Sequence, residues 1–203
     1  MLSKTIVCIT GMPGAGKSTI VSKLEEIGFA KFTLGDGIRA EAKRRNIIPS
    51  AENLGKLMLE VREKNGPGAV AELIKNPIQE STHDVIIIDG VRSIAEIDVL
   101  KKIGDVKLLA IQASPETRFN FLSLRGRSDD PKTKENFEER DNREIGVGLD
   151  KSIQIADKTI TNHNLTIDEL VESAKKIIES WANWWLEMDL VKFMFLVKLI
   201  LLK

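Results

Sequence analysis

The chain has 203 residues, enough for one domain of ordinary size and too few for two. Its 30 Lys and Arg balance 30 Asp and Glu, so no bulk charge draws it to nucleic acid or to an anionic membrane. Charged residues at 30% beside hydrophobic ones at 42% exclude a disordered chain, and one cysteine, Cys8, excludes an intramolecular disulfide framework.

In chain order, Thr5 to Thr10 is short, β-branched and bounded by glycine, which predicts a buried strand with Cys8 as an inert thiol inside it. The apolar stretch is too short for a signal peptide and runs into a glycine-rich loop, so the cytoplasm is the expected compartment. Lys17 to Glu26 follows as a helix with Ile20, Val21 and Leu24 on one face, ended by Gly28. Ala30 to Leu34 reads as a weak strand and Ile38 to Arg45 as a helix. Ser50 is placed to cap a helix with Leu54, Leu57, Met58 and Val61 on one face, closed by Gly66-Pro67-Gly68. A short helix from Ala69 to Lys75 comes next.

Val85 to Asp89 is a continuous apolar run, the pattern of a strand buried on both faces of a parallel sheet. Ile94 to Lys102 is helical, Val106 to Ala113 is a further apolar strand, and Pro115 opens a helix toward Leu124. Arg125 to Gly148 is polar and rich in charge, with Gly126, Pro131, Gly146 and Gly148 as breakers. Lys158 to Thr161 is a last short strand and Ile167 to Ser180 an amphipathic helix. Strands alternating with helices predict an α/β fold, a parallel sheet covered on both faces.

Gly11-Met12-Pro13-Gly14-Ala15-Gly16-Lys17-Ser18 fits G-x-x-x-x-G-K-[ST] in full, with a strand before it and a helix after it. Glycines let successive N–H groups turn inward onto phosphate oxygens. Lys17 supplies a point charge to the β- and γ-phosphates of ATP, and the Ser18 hydroxyl is a ligand for Mg²⁺. Thr19 is placed to assist. The helix starting at Gly16 adds the positive end of its dipole. Asp89 closes the strongest strand. A carboxylate there has no packing role, and it reads either as the second acidic element reaching Mg²⁺ or as a cap on the next helix.

Four blocks then carry a family resemblance. Besides the phosphate loop, Thr33-Leu34-Gly35-Asp36-Gly37-Ile38-Arg39 resembles the Gly-Asp-x-x-Arg segment of nucleoside monophosphate kinases. Asp89-Gly90-Val91-Arg92 resembles their Asp-Gly-Phe-Pro-Arg segment. Arg125-Gly126-Arg127, Asp129-Asp130, Arg140 and Arg143 resemble their arginine-rich lid. The blocks occur in the family's order over roughly residues 5 to 145. The segment Ala156 to Asn162 is closer to dephospho-CoA kinases, and the whole chain most resembles archaeal adenylate kinase-related proteins.

The resemblance implies a P-loop three-layer fold with a parallel five-stranded sheet, a mobile acceptor-binding segment over about 36–80 and a lid over about 125–148. It implies that Arg39 and Arg92 hold the acceptor's phosphate. Arg125, Arg127, Arg140 and Arg143 would close over ATP and stabilise the transferring phosphoryl group. Phosphoryl transfer needs positioning and positive charge more than covalent participation, and the arginine fork suits phosphate. A solvated helix face, with Glu135, Glu138, Glu139 and Glu144 paired to the arginines, is the structural alternative. Asp36 reads equally as an acceptor-orienting group and as a helix cap. The sequence departs from the family twice. Arg92 follows Asp89 by three positions without the proline, and Glu96 stands where adenylate kinases read adenine with glutamine. A carboxylate accepts but cannot donate, which argues against AMP as the acceptor.

The implied activity is ATP-dependent phosphoryl transfer to a small nucleotide or nucleotide-like acceptor. Dephospho-CoA is the second acceptor, and a nucleotide-driven switch or assembly ATPase is the rival class. No nucleic-acid partner is expected, because Lys43-Arg44-Arg45 is one short basic run without aromatics. His83 and His163 lack metal-ligand spacing.

The expected kinase domain is 1–180. Residues 181–203 hold all three tryptophans, and 17 of these 23 residues are hydrophobic, so this tail differs from everything before it. Packing on its own domain or a second subunit is preferred over contact with a membrane interface or a non-native extension.

Overall fold

The computed structural model describes residues 4–125 and 130–182. Five strands form one all-parallel sheet in the order β2-β3-β1-β4-β5: β1 is Thr5–Thr10, β2 Ala30–Thr33, β3 Val85–Asp89, β4 Asp105–Gln112 and β5 Lys158–Thr161. Every residue of β1 is buried, as its central place in the sheet demands.

Strand alternation divides the core into two layers. Ile6, Cys8, Ile86, Ile88 and Leu108 face one side, packed with residues of α2 (Leu34–Arg44), α3 (Ala51–Asn65), α4 (Ala69–Glu72), α5 (Lys75–Glu80) and α6 (Ile94–Lys101). Val7, Ile9, Ile87, Leu109, Ile111 and Ile160 face the other, against α1 (Lys17–Glu26) and the last helix, α10, which spans 167–182. α7 (Pro115–Arg125), α8 (Lys134–Val147) and α9 (Leu149–Gln154) lie between β4 and β5 in the chain. Burial of Cys8 pushes its thiol well above the ordinary range, with Glu96 and Asp157 adding to the effect.

Sequence and structure part company where side chains redirect the backbone. β2 stops at Thr33 and α2 starts at Leu34, four residues before the expected Ile38, because the Thr33 hydroxyl accepts from the Asp36 amide and caps the helix there. Lys75–Glu80 forms a second short helix where only one ending at Lys75 was expected. α8 runs through Gly146, read from the sequence as a breaker, and ends at Gly148 in a left-handed conformation. α10 continues past Ser180, and Trp181 packs against the second core layer. The rest of the apolar tail, 183–203, lies outside the described residues, as do 126–129. Among the described residues no helix is long and apolar enough to cross a membrane.

Candidate functional site

The sheet order changes direction at β1: the chain first builds outward to β2 and β3, then crosses to β4 on the other side. Ligand crevices of open parallel sheets lie at the carboxyl ends of strands flanking such a point. The glycine-rich loop occupies this place between β1 and α1. Its shape depends on glycine. Gly14 has φ +82, and a Cβ there would stand 2.6 Å from the Arg118 carbonyl oxygen. Gly16 has φ +106, and a Cβ there would meet the side-chain amide of Asn162 at 2.9 Å.

Lys17 folds back over the loop, donating to the carbonyls of Gly11 at 2.5 Å and Met12 at 3.1 Å. Lys17 is half-buried, its ammonium held against these two carbonyls on the wall of the cleft. Burial lowers its pKa from 10.5 to about 8; Asp89 and Glu144 resist the fall, and Arg92 and Arg140 add to it.

Asp89 ends β3 in register with Ile9 of β1, so its carboxylate stands beside the loop. The Thr10 hydroxyl donates to the Val91 carbonyl at 3.1 Å and ties the segment after β3 to the end of β1. Asp89 and Ser18 line the same cleft. Carboxylate and hydroxyl oxygens beside a phosphate loop are a donor set that suits Mg²⁺, so the residues present fit that ion.

The cleft has a volume of about 820 Å³. Lys17, Asp89, Arg92, Arg125 and Arg140 all line it. Phe121 and Leu124 of α7, with Leu165 and Ile167 near the start of α10, add apolar lining to the same cleft. Arg125 pairs with Asp130, its Nε 3.0 Å from Oδ2, and Arg140 approaches the same carboxylate at 3.5 Å. Arg92 meets Glu144 of α8, Nε to Oε2, at 2.8 Å. Arg143 is exposed and is not among the cleft-lining residues. Arg127 lies outside the described residues.

Two predicted acceptor residues stand elsewhere. Asp36 and Arg39 form an exposed ion pair at 2.6 Å, one turn apart on α2, and do not line the cleft. Partial burial opposes ionisation of Asp36, but hydrogen bonds from Arg39 and Thr33 outweigh it and hold the carboxyl below its ordinary value. Arg39 instead borders a second cavity of about 480 Å³ with Lys43 and Ile48.

Glu96 has no face toward an acceptor. It is fully buried. Its Oε2 accepts from the amides of Arg92 and Ser93 in a capping box, and its Oε1 takes the Arg62 guanidinium at 2.6 Å. The carboxylate at this position therefore serves folding. Glu96→Gln is expected to cost about 1.5–3 kcal/mol in denaturant unfolding, through the weakened charged hydrogen bonds, without creating a preference for adenine-bearing acceptors. Unchanged stability with a new AMP preference would restore the recognition role.

Sequence reasoning missed Arg118. It is buried on α7, grips Asp141 of α8 through both Nη atoms, and donates from Nη1 to the Pro13 carbonyl at 3.2 Å. Its guanidinium also lies 4.7 Å from the Phe137 ring centroid. One residue thus joins the phosphate loop to the predicted lid helix. Asn162 ends the segment that resembles dephospho-CoA kinases. Its amide donates to the Ala15 carbonyl at 3.0 Å, placing the segment after β5 against the loop.

The AAA domain family matches residues 10–138. A UPF0200 protein of Hyperthermus butylicus is 39% identical over 175 residues, which cover 86% of this chain and 94% of that relative. The chain belongs to the UPF0200 family. Among solved structures, TT1252 from Thermus thermophilus superposes with a TM-score of 0.66 at 16% identity, covering 88% of this chain and 97% of the other. Shikimate kinase from Bacteroides thetaiotaomicron gives a TM-score of 0.54 at 19% identity, covering 86% and 98%. At such identities the likeness is one of fold. The fold is that of P-loop kinases, with the sheet and loop expected of nucleoside monophosphate kinase-like proteins.

Proposed function

We propose that this UPF0200 protein is an ATP-dependent phosphotransferase acting on a nucleotide or nucleotide-like acceptor. The observation that carries the reading is the gathering of Lys17, Asp89, Arg92 and Arg140 on the walls of one cleft. A hydrolase needs a positioned water; a transferase needs cations spread across two phosphate groups with water excluded.

In this reading the amides of Gly11 to Ser18 cradle the phosphates of ATP, and Lys17 leaves the Gly11 and Met12 carbonyls for the β- and γ-oxygens. The apolar lining that Phe121 and Ile167 supply receives the base. Ser18 and Asp89 would hold Mg²⁺, which when bound neutralises charge on the phosphate oxygens. Arg92 orients the acceptor's phosphate. An unprotonated oxygen of that phosphate forms a bond to the γ-phosphorus as the bond to the β,γ-bridging oxygen breaks, and ADP carries away the released electron pair. Arg125 and Arg140 stabilise the charge on the transferring group.

The resemblance of Ala156 to Asn162 to dephospho-CoA kinases favours ATP binding more than any acceptor, because Asn162 touches the phosphate loop. The test is ADP formation with AMP, CMP, UMP, GMP, dUMP and dephospho-CoA. At least one is expected to raise the rate well above the acceptor-free rate. A basal ATPase that no acceptor alters would replace the transferase with a nucleotide-driven switch.

A further inference from the structure

We infer that Glu144 is a specificity-determining residue, an internal anion that holds Arg92 until a phosphate dianion displaces it. The inference rests on the phosphotransferase reading and concerns what the acceptor must carry.

Arg92 is anchored at its backbone and adjustable at its tip. Its amide donates to Glu96 Oε2 at 2.8 Å, and Glu96 is itself held by Ser93 and Arg62 in the core. The guanidinium reaches into the cleft with its side chain 32% exposed. There it meets Glu144, a cleft-lining carboxylate near enough to Lys17 to influence its ionisation. Glu144 thus stands among the cations that the reading reserves for phosphate.

The neighbouring pair on α8 behaves differently. Asp141 lies one turn before Glu144 and is gripped by Arg118 through two hydrogen bonds, with side chains 16% and 5% exposed. That pair fixes the helix. Glu144 is as buried as Asp141, at 15% exposed, but its partner Arg92 is 32% exposed where Arg118 is 5%, so the Arg92 pair is the one that side-chain rotation can part while α8 stays in place.

The exchange has a charge requirement. A carboxylate offers one negative charge, whereas a phosphate monoester near neutrality carries about −1.5 to −2 and three acceptor oxygens. Coulomb attraction to Arg92 scales with that charge, and Lys17 and Arg140 on the same cleft attract the second charge as well. A phosphate monoester therefore outcompetes Glu144 and repels it from the cleft. A carboxylate merely matches it, and a neutral hydroxyl falls short. Glu144 makes the site selective for acceptors that already bear a phosphate and keeps weaker anions off Arg92.

The test uses the full-length protein with Mg²⁺ and a saturating non-hydrolysable ATP analogue, so that the loop is filled. Equilibrium dialysis then follows radiolabelled inorganic phosphate, with acetate as competitor. Wild type is expected to bind phosphate and resist acetate. Glu144→Gln should bind phosphate about tenfold more tightly and admit acetate, because a like charge has been removed from the site. Glu144→Asp should retain the resistance to acetate, and Arg92→Gln added to Glu144→Gln should erase the gain. Thermal unfolding verifies that each variant is folded. Unchanged or weaker phosphate binding in folded Glu144→Gln overturns the inference, as does a gain that survives the loss of Arg92. An analogue that wild type does not bind overturns the phosphotransferase reading, and the inference with it.

Discussion

Replacing Lys17 with methionine should abolish ATP turnover and at the same time stabilise the ligand-free protein at pH 7. Turnover is expected to fall by at least about 10²–10³-fold, the usual loss when one preorganised contact to a phosphoryl-transfer transition state is removed. The stability gain follows from linkage. The folded protein holds the Lys17 pKa near 8, below its ordinary 10.5, so the unfolded chain binds more protons between those values. The cost of burying the charge is present in full below pH 8 and fades as pH rises toward 10.5. A shift of this size corresponds to roughly 3 kcal/mol at most. Two hydrogen bonds to loop carbonyls are lost with the ammonium, each worth about 1 kcal/mol, so the net gain should be about 1–2 kcal/mol. Denaturant unfolding of both proteins at pH 7 and above pH 10 tests the sign: the variant's advantage should shrink at the higher pH. A variant less stable than wild type at pH 7, or one with full activity, would contradict the placement of this lysine.

Calorimetric proton counting tests the same shift. ATP should draw a proton onto Lys17 when it binds above pH 8, and affinity should fall there about tenfold per pH unit.

Asp141→Ala is expected to cost about 3–5 kcal/mol, since it leaves the Arg118 guanidinium buried without its carboxylate. Arg118 also holds the Pro13 carbonyl and lies over Phe137, so the damage should reach the phosphate loop and weaken ATP binding as well. Changing both Arg118 and Asp141 to leucine should cost clearly less than the sum of Arg118→Leu and Asp141→Leu made singly, because neither charge is then left alone. Chemical denaturation gives all four corners of this cycle. Additive costs, or an Asp141→Ala midpoint equal to wild type, would remove the pair from the architecture.

The phosphate loop and the strands around it were legible because their signals are local. A loop of eight residues between an apolar strand and an amphipathic helix carries its own geometry in its glycine positions. β1, β3 and β5 were placed to the residue by apolar or β-branched runs bounded by turn formers. The start of α2 was not legible, because one hydroxyl, that of Thr33, outweighs the composition of Gly35 to Gly37. The arginines were legible as a population and not as individuals. Arg92 and Arg140 reached the cleft, whereas Arg39 and Arg143 remained at the surface.

The alternation of apolar strands with helices and the G-x-x-x-x-G-K-S spacing alone determined an α/β fold with a loop built for phosphate. Only the tertiary structure decided which charges meet: Glu96 with Arg62, Asp141 with Arg118, Glu144 with Arg92. The physical reason is one of range. Backbone conformation and strand burial are set by residues within a few positions of one another. The partner of a charged side chain is set by which elements the sheet order brings side by side, and the desolvated interior then allows each buried charge to remain only where a partner awaits it.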